Sequence, residues 1–313
     1  MKSGRLKPAI TEQQNPRTRG LDRKSTLEIL RTLNREDSLV PGAVAKELRT
    51  IARVVDQIVR AFRQGGRLFY VGAGTSGRLG ALDAAENPPT FGVSPRMIQA
   101  IVAGGLRAVR RSVEAAEDSA VQGARDLSAR RISRRDVVVG IAASGSTPYV
   151  LGALRLARRR RAFTIALTSN RRSPIAHLAR ITIAPNTGPE AIAGSTRMKA
   201  GTAQKLVLNL LSTAAMVRLG YVYDNWMINV ANTNRKLQRR ALRILEEAAG
   251  VDLPTAEHAL RQTGHDLRAA LVSLKTGVSA REARQRLVTA GGYVRSAIKA
   301  ARKPQSRTGR ARG

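Results

Sequence analysis

Five short apolar runs, separated by stretches of helical periodicity, constrain this chain more than any other feature. They lie at residues 68–71, 97–102, 137–142, 163–167 and 181–183. Each predicts a strand buried on both faces. Such strands, alternating with helices, build a parallel sheet covered on both sides. The predicted fold class is therefore α/β, with any ligand beyond the carboxyl ends of the strands.

The flanks are less regular. Residues 1–24 hold basic residues, Gly, Pro and Gln, and predict a flexible basic arm. Ser25 then caps a helix whose apolar stripe is Leu27, Ile29, Leu30 and Leu33. Pro41 opens a second helical stretch that runs to Phe62 and ends at Gly65-Gly66. Residues 194–219 predict a long helix capped by Ser195. Beyond residue 246, breaks at Gly250, Gly264 and Gly277 predict a satellite of three short helices. The expected plan is an arm at 1–24, a sheet domain with its N-terminal helices at 25–246, a helical domain at 247–298, and a disordered basic tail at 299–313.

Composition removes several chemistries. The 313 residues include no cysteine, so disulfides, thiolate metal sites and a cysteine nucleophile are excluded. The three histidines, His177, His258 and His265, match no metal-ligand spacing, and no metal site is expected. No apolar run reaches the ~18 residues of a membrane span, and residues 1–23 lack the apolar core of a secretory signal. A cytoplasmic protein without a membrane partner is expected. The net charge of +33 would suit a polyanion. The basic residues are spread along the whole chain, however, and aromatics are 3%. The charge is therefore expected to reflect general arginine enrichment, with no specific nucleic-acid partner.

Two strand-to-helix junctions share one design. The first is Val71-Gly72-Ala73-Gly74-Thr75-Ser76-Gly77-Arg78, the second Ile141-Ala142-Ala143-Ser144-Gly145-Ser146-Thr147-Pro148. Glycines let backbone amides approach an anion, hydroxyls add donors, and the helix N-terminus adds partial positive charge. Two such cradles on one sheet predict a phosphate site. A carboxylate, Glu86, precedes a Pro88-Pro89 turn, and Glu114, Glu117 and Asp118 form an acidic run. Separated carboxylates can divide acid and base roles. A third cluster at 188–205 holds Glu190, Ser195 and Thr196 before the long helix, and could bind an anion.

In order, these blocks resemble N-acetylmuramic acid 6-phosphate etherases. The likeness runs from Thr11-Glu12 through Asn34-Arg35-Glu36-Asp37 to about Ile298. It is carried by GAGTSGRLG, ENPPTFG, EDS, GIAASGSTPYV and GSTRMKAGTAQKLVLN. The stretch 188–205 also resembles a signature of glucokinase regulatory proteins. The resemblance implies a five-stranded parallel SIS (sugar isomerase) sheet with a small C-terminal helical domain, acting as a homodimer without metal or organic cofactor. It implies a carbon–oxygen lyase of cell-wall amino-sugar recycling. The D-lactyl ether of N-acetylmuramic acid 6-phosphate would be cleaved to N-acetylglucosamine 6-phosphate and D-lactate, by elimination across C2 and C3 and then water addition. By the same resemblance Glu86 is the proton donor and Glu117 the base at C2, with Glu86 expected to be buried against Pro88, Pro89 and Phe91. Gly74, Thr75, Ser76, Ser144, Gly145, Ser146, Thr147, Glu190 and Ser195 are expected to bind the sugar phosphate. Asn87 and Ser146 depart from the family pattern, which favours a small residue and an arginine there. The alternative is a non-catalytic sugar-phosphate regulator of the same fold; retention of both glutamates and room for one SIS domain favour the enzyme.

Overall fold

The structure, a computed structural model, describes residues 9–111, 113–229 and 235–301. Its first segments are single 3-10 turns at Ile10–Glu12, Pro16–Thr18 and Leu21–Arg23. Thr11, Asn15 and Thr18 are buried. Asn15 Nδ2 donates to Glu36 Oε2 at 2.7 Å and to Pro189 O at 3.2 Å, and Thr18 Oγ1 donates to Ala191 O at 2.8 Å. This corrects the flexible arm expected at 1–24: over 9–24 the chain is docked by polar side chains, a mode that apolar periodicity cannot register. Residues 1–8 lie outside the described residues.

Helix α1 (Thr26–Asp37) opens on the Ser25 box, where Glu28 accepts the Ser25 amide at 2.9 Å. The stretch from Pro41 divides into α2 (Val40–Ala45) and α3 (Leu48–Arg63). On α3, Ile51, Val54, Val55, Ile58 and Val59 repeat at helical spacing and are all buried; each such side chain contributes about 1.5–3 kcal/mol of burial.

The sheet follows, its strands separated by helices: β1 (Leu68–Gly72), α4 (Gly74–Phe91), β2 (Ile98–Val102), α5 (Gly105–Arg110), α6 (Ala120–Ser128), β3 (Val137–Ile141), α7 (Pro148–Arg159), β4 (Phe163–Leu167), α8 (Pro174–Leu178) and β5 (Ile181–Ile183). All pairings are parallel, in the order β2-β1-β3-β4-β5. One face carries Phe69, Val71, Val138 and Ala166 against Leu127 of α6 and Tyr149, Val150 and Leu154 of α7. The helices α6 and α7 cross at backbone contact. A Cβ on Gly123 would sit 2.0 Å from Tyr149 O, and one on Gly152 1.8 Å from Ala120 O. On the other face a Cβ on Gly80 of α4 would sit 2.9 Å from Tyr70 Cβ. The prolines expected to form a turn, Pro88 and Pro89, lie inside the last turns of α4, where the lost amide donors fall near the helix end.

Helix α9 (Lys199–Arg218) leads to β6 (Val222–Tyr223) and β7 (Trp226–Met227), then α10 (Arg235–Leu245). After a π turn at Glu246–Gly250 come α11 (Leu253–Gln262), α12 (Leu267–Thr276), α13 (Ala280–Thr289) and α14 (Val294–Ala301). The three-helix satellite is thus corrected to four helices, with α10 packed on them: Ala241, Ile244 and Leu245 share one core with Leu260, Leu271 and Ile298. Of the described residues, those up to Asn87 and from Ser94 to Ala215 form one compact unit. Pro88–Val93 and those from Met216 onward form the second. Its upstream edge lies before the expected 247 because α10 belongs to the helical core. Of the basic tail expected at 299–313, residues 302–313 lie outside the described residues. Among the described residues no helix is long and apolar enough to cross a membrane.

Candidate active site

Both glycine-rich turns leave the sheet at one level, because Gly72 of β1 is in register with Ile141 of β3. Here the strand order changes direction, with β2 on one side of β1 and β3 on the other. At such a switch point successive helices leave over opposite faces, and a crevice opens between their N-termini. That is what α4 and α7 do, so the crevice is flanked by two helix N-termini with their unpaired amides.

The first turn depends on a pair of glycines. A Cβ on Gly72 would sit 2.7 Å from Gly77 N, and one on Gly77 would sit 2.7 Å from Gly72 O. Either side chain would push α4 off the end of β1. Gly74 has φ +51, and Thr75 and Ser76 are half-buried.

In the second turn, Gly145 has φ +74, and a Cβ there would lie 2.1 Å from Ser173 Oγ. Its carbonyl accepts from Ile175 N at 3.0 Å, and Ala143 O accepts from Ser169 N at 3.0 Å. The turn is therefore braced on the 168–175 segment. Ser146 Oγ donates to Ser144 Oγ at 3.0 Å, and Thr147 and Pro148 start α7.

The third cluster is arranged differently from expectation. Ser195 does not cap α9, which starts at Lys199. The cap is Glu190, which is buried: its Oε2 accepts from Lys199 N and its Oε1 from Ala200 N, each at 2.9 Å. Burial raises the Glu190 pKa against the lowering effect of these two amides. A carboxylate held by two amides is a positioning group for α9 rather than an open ligand for substrate. The 195–198 turn, with Ser195 and Thr196 half-buried, brings α9 to α4: a Cβ on Gly201 would meet Thr75 Cγ2 at 3.5 Å.

Two buried networks, one at the start of α9 and one between the middles of α4 and α9, were not foreseen from sequence. Lys199 is fully buried, and its Nζ donates to Glu36 Oε2 at 2.6 Å. Glu36 also accepts from Arg17 Nη2 at 2.9 Å and from Asn15. The Arg17 contact, with Lys199 and Asn15, outweighs burial and holds the Glu36 pKa down at about 2. A signal existed: Lys199 is in step with Ala203, Val207 and Leu211, all buried, and a lysine on that stripe requires a partner. On α4, buried Asp83 accepts from Tyr70 OH and Ser212 Oγ, each at 2.9 Å, and burial raises its pKa. Asn87 donates to Asp83 O at 2.7 Å, while its Oδ1 is buried without a partner.

The candidate catalytic carboxylates are separated. Glu117 lies in the 3-10 segment Glu114–Asp118, which folds back over the carboxyl end of β2: a Cβ on Gly104 would meet Val113 Cβ at 3.2 Å and Ala116 Cβ at 3.4 Å. It is exposed, on the same rim as the two cradles. Glu86 is also exposed, which corrects the expected burial against Pro88, Pro89 and Phe91. It sits more than three turns along α4 from Gly74, about 18 Å at 1.5 Å per residue. Reacting groups must approach to about 3–3.5 Å, and neither a glutamate side chain nor a hexose 6-phosphate closes that gap. One chain therefore brings together Thr75, Ser76, Ser144, Gly145, Ser146, Thr147 and the Glu117 rim, and does not bring Glu86 to them. Among the described residues no cluster of His, Asp and Glu is placed to hold a metal ion.

Two family models match this region. One described as the glucokinase regulatory protein N-terminal SIS domain covers residues 50–158, and one described as the SIS domain covers 117–214. The five-stranded parallel sheet with helices on both faces is a SIS fold. An N-acetylmuramic acid 6-phosphate etherase of Serratia proteamaculans is 53% identical over 289 residues, 92% of this chain and 97% of its own. Its namesake from Yersinia pestis is 54% identical over 92% of this chain and 98% of its own. A solved phosphoheptose isomerase of Francisella tularensis aligns over 62% of this chain and 100% of its own, at 15% identity and a TM-score of 0.46.

Proposed function

This chain belongs to the N-acetylmuramic acid 6-phosphate etherase family, and from that premise we propose how its residues divide the work of cleaving the lactyl ether. The substrate's 6-phosphate sits in the crevice at the β1–β3 switch point, held by amides and hydroxyls of the turns at 74–76 and 144–147. The sugar opens to its aldehyde, which makes the C2 proton acidic. Glu117 takes that proton, the C3–O bond breaks, and the lactate oxygen leaves with a proton from Glu86. Water then adds across C2 and C3, so that ether and water become N-acetylglucosamine 6-phosphate and D-lactate. Glu190 positions α9.

The observation that carries the reading is the pair of cradles at the switch point in a chain more than half identical to named etherases. The distance of Glu86 from its own cradle favours a homodimer in which each chain lends Glu86 to the sugar held by the other. A sugar-phosphate substrate and the absence of any bilayer-spanning helix among the described residues support a cytoplasmic location. A non-catalytic regulator is not favoured, since the relatives with this degree of identity carry the enzyme's name. The test is lactate release from N-acetylmuramic acid with and without its 6-phosphate. Charge-assisted hydrogen bonds contribute about 1.5–3 kcal/mol each, so the unphosphorylated sugar should react at least 100-fold more slowly in kcat/KM. Equal rates would overturn the phosphate assignment.

A further inference from the structure

Arginines spread through the sequence are gathered in space. Because every strand of the sheet is parallel, the turns that feed the strands all lie along one rim, opposite the crevice. The turn into β3 reads Ser-Ala-Arg-Arg-Ile-Ser-Arg-Arg-Asp over 128–136, and that into β4 reads Arg-Arg-Arg-Arg-Ala over 158–162. All eight arginines are exposed. Exposed Arg96 and Arg180 extend the row to β2 and β5. The one carboxylate in these turns, Asp136, is buried and held by Arg67 at 3.0 Å.

Ordinary helix chemistry explains only part of this. Cations in the last turn complement a helix's carbonyl end, and Arg158 and Arg159 do so for α7. Arg160 and Arg161 follow beyond it. Arg161 has φ +59 and stands where the chain turns back, with Ala162 N donating to Ala157 O at 3.0 Å. That position favours glycine. Arg131 likewise has φ +50 in the turn into β3. Two arginines thus occupy left-handed backbone that an L side chain disfavours, one in each of the turns that feed the neighbouring strands β3 and β4.

We propose that this rim binds the phosphate backbone of duplex nucleic acid, without sequence preference. Strands about 4.8 Å apart make the rim roughly 20 Å wide, and a duplex presents a charge about every 1.7 Å of its axis. Guanidinium groups pair with phosphate in a bidentate fork. A recess of about 290 Å³ bordered by Arg158, His177 and Arg180 offers a seat for one phosphate. Single strands would need stacking platforms, yet the aromatic side chain at this edge, Phe163, lies beneath the Arg180 guanidinium at 5.6 Å. A bilayer would favour apolar side chains to insert, and none of the large exposed hydrophobic residues lies in these turns.

The test is fluorescence anisotropy of a labelled random-sequence 20-base-pair DNA with the full chain across a salt series. With about five phosphates engaged, log K should fall with log salt at a slope near −4.5. R131G/R161G should flatten the slope by about two and weaken binding at least 10-fold at physiological salt, without lowering the melting temperature. R281Q/R284Q, which removes two exposed arginines of α13, should leave both nearly unchanged. Equal losses in the two variants would overturn the proposal, since binding would then follow net charge alone. So would no binding above a neutral control protein, or tighter, Arg131- and Arg161-dependent binding to phosphatidylserine vesicles than to the duplex.

Discussion

Mixing two inactive variants tests the division of the site between chains. Glu86 is about 18 Å along α4 from the cradle of its own chain, and Glu117 stands on the cradle's rim. Glu86→Gln and Glu117→Gln should each lower lactate release by about 10²–10⁴-fold, the usual contribution of a general acid or base. Suppose each site takes Glu117 from one chain and Glu86 from the other. A dimer of one E86Q chain and one E117Q chain then has one site with both defects and one with none. Random re-pairing of equal amounts makes about half the dimers mixed, each with one sound site in two, so about a quarter of wild-type activity should return. If both glutamates served the same chain's substrate, every site in the mixture would keep one defect. The assay is lactate release after denaturing and refolding the variants together, beside each refolded alone. A mixture no more active than its parents refutes the composite site. Solvent exchange at C2 provides a second readout: E86Q alone should retain it, and E117Q alone should lose it.

Gly145→Ala places a methyl group 2.1 Å from Ser173 Oγ on left-handed backbone. It should cost about 2–4 kcal/mol in thermal or urea unfolding and raise KM for the phosphorylated substrate. Glu36→Gln leaves Lys199 buried without its counter-charge and should cost about 3 kcal/mol at pH 7. Because the folded Glu36 pKa is depressed to about 2, wild type keeps this advantage above the ordinary carboxylate range and loses it as pH falls from about 4.5 to 2; a difference constant down to pH 2 would exclude the ion pair as its source.

The sheet was legible because unbroken apolar runs such as Val137–Ile141 have few other uses in a chain of this length. The two glycine-serine turns were legible as strand-to-helix junctions because each follows an apolar run and precedes a helical stretch. The misjudged parts depend on side-chain partners and helix limits that local residue patterns do not fix. Ser195 carries the usual local signature of a cap, but the amides of α9 are taken by Glu190, a few residues further upstream. Residues 10–23 have no apolar stripe because Asn15 and Thr18 attach them through hydrogen bonds to Glu36, Pro189 and Ala191. The burial assigned to Glu86 followed from its neighbours Pro88 and Pro89, but those continue the helix and leave Glu86 on its outer side.

The backbone contact between α6 and α7 has a consequence for which sugars fit. Gly123 and Gly152 leave no slack at the crossing, so the two helices move as one stiff part. The N-terminus of α7 follows the 144–147 turn, the second proposed phosphate cradle, and α6 begins directly after the segment that carries Glu117. In the proposed site, the gap between the 144–147 turn and Glu117 is therefore set by packed helices. If the proposed roles hold, the protein should work as a calliper: a sugar phosphate one carbon shorter, seized by its phosphate, would present a different carbon to Glu117 and should release no product.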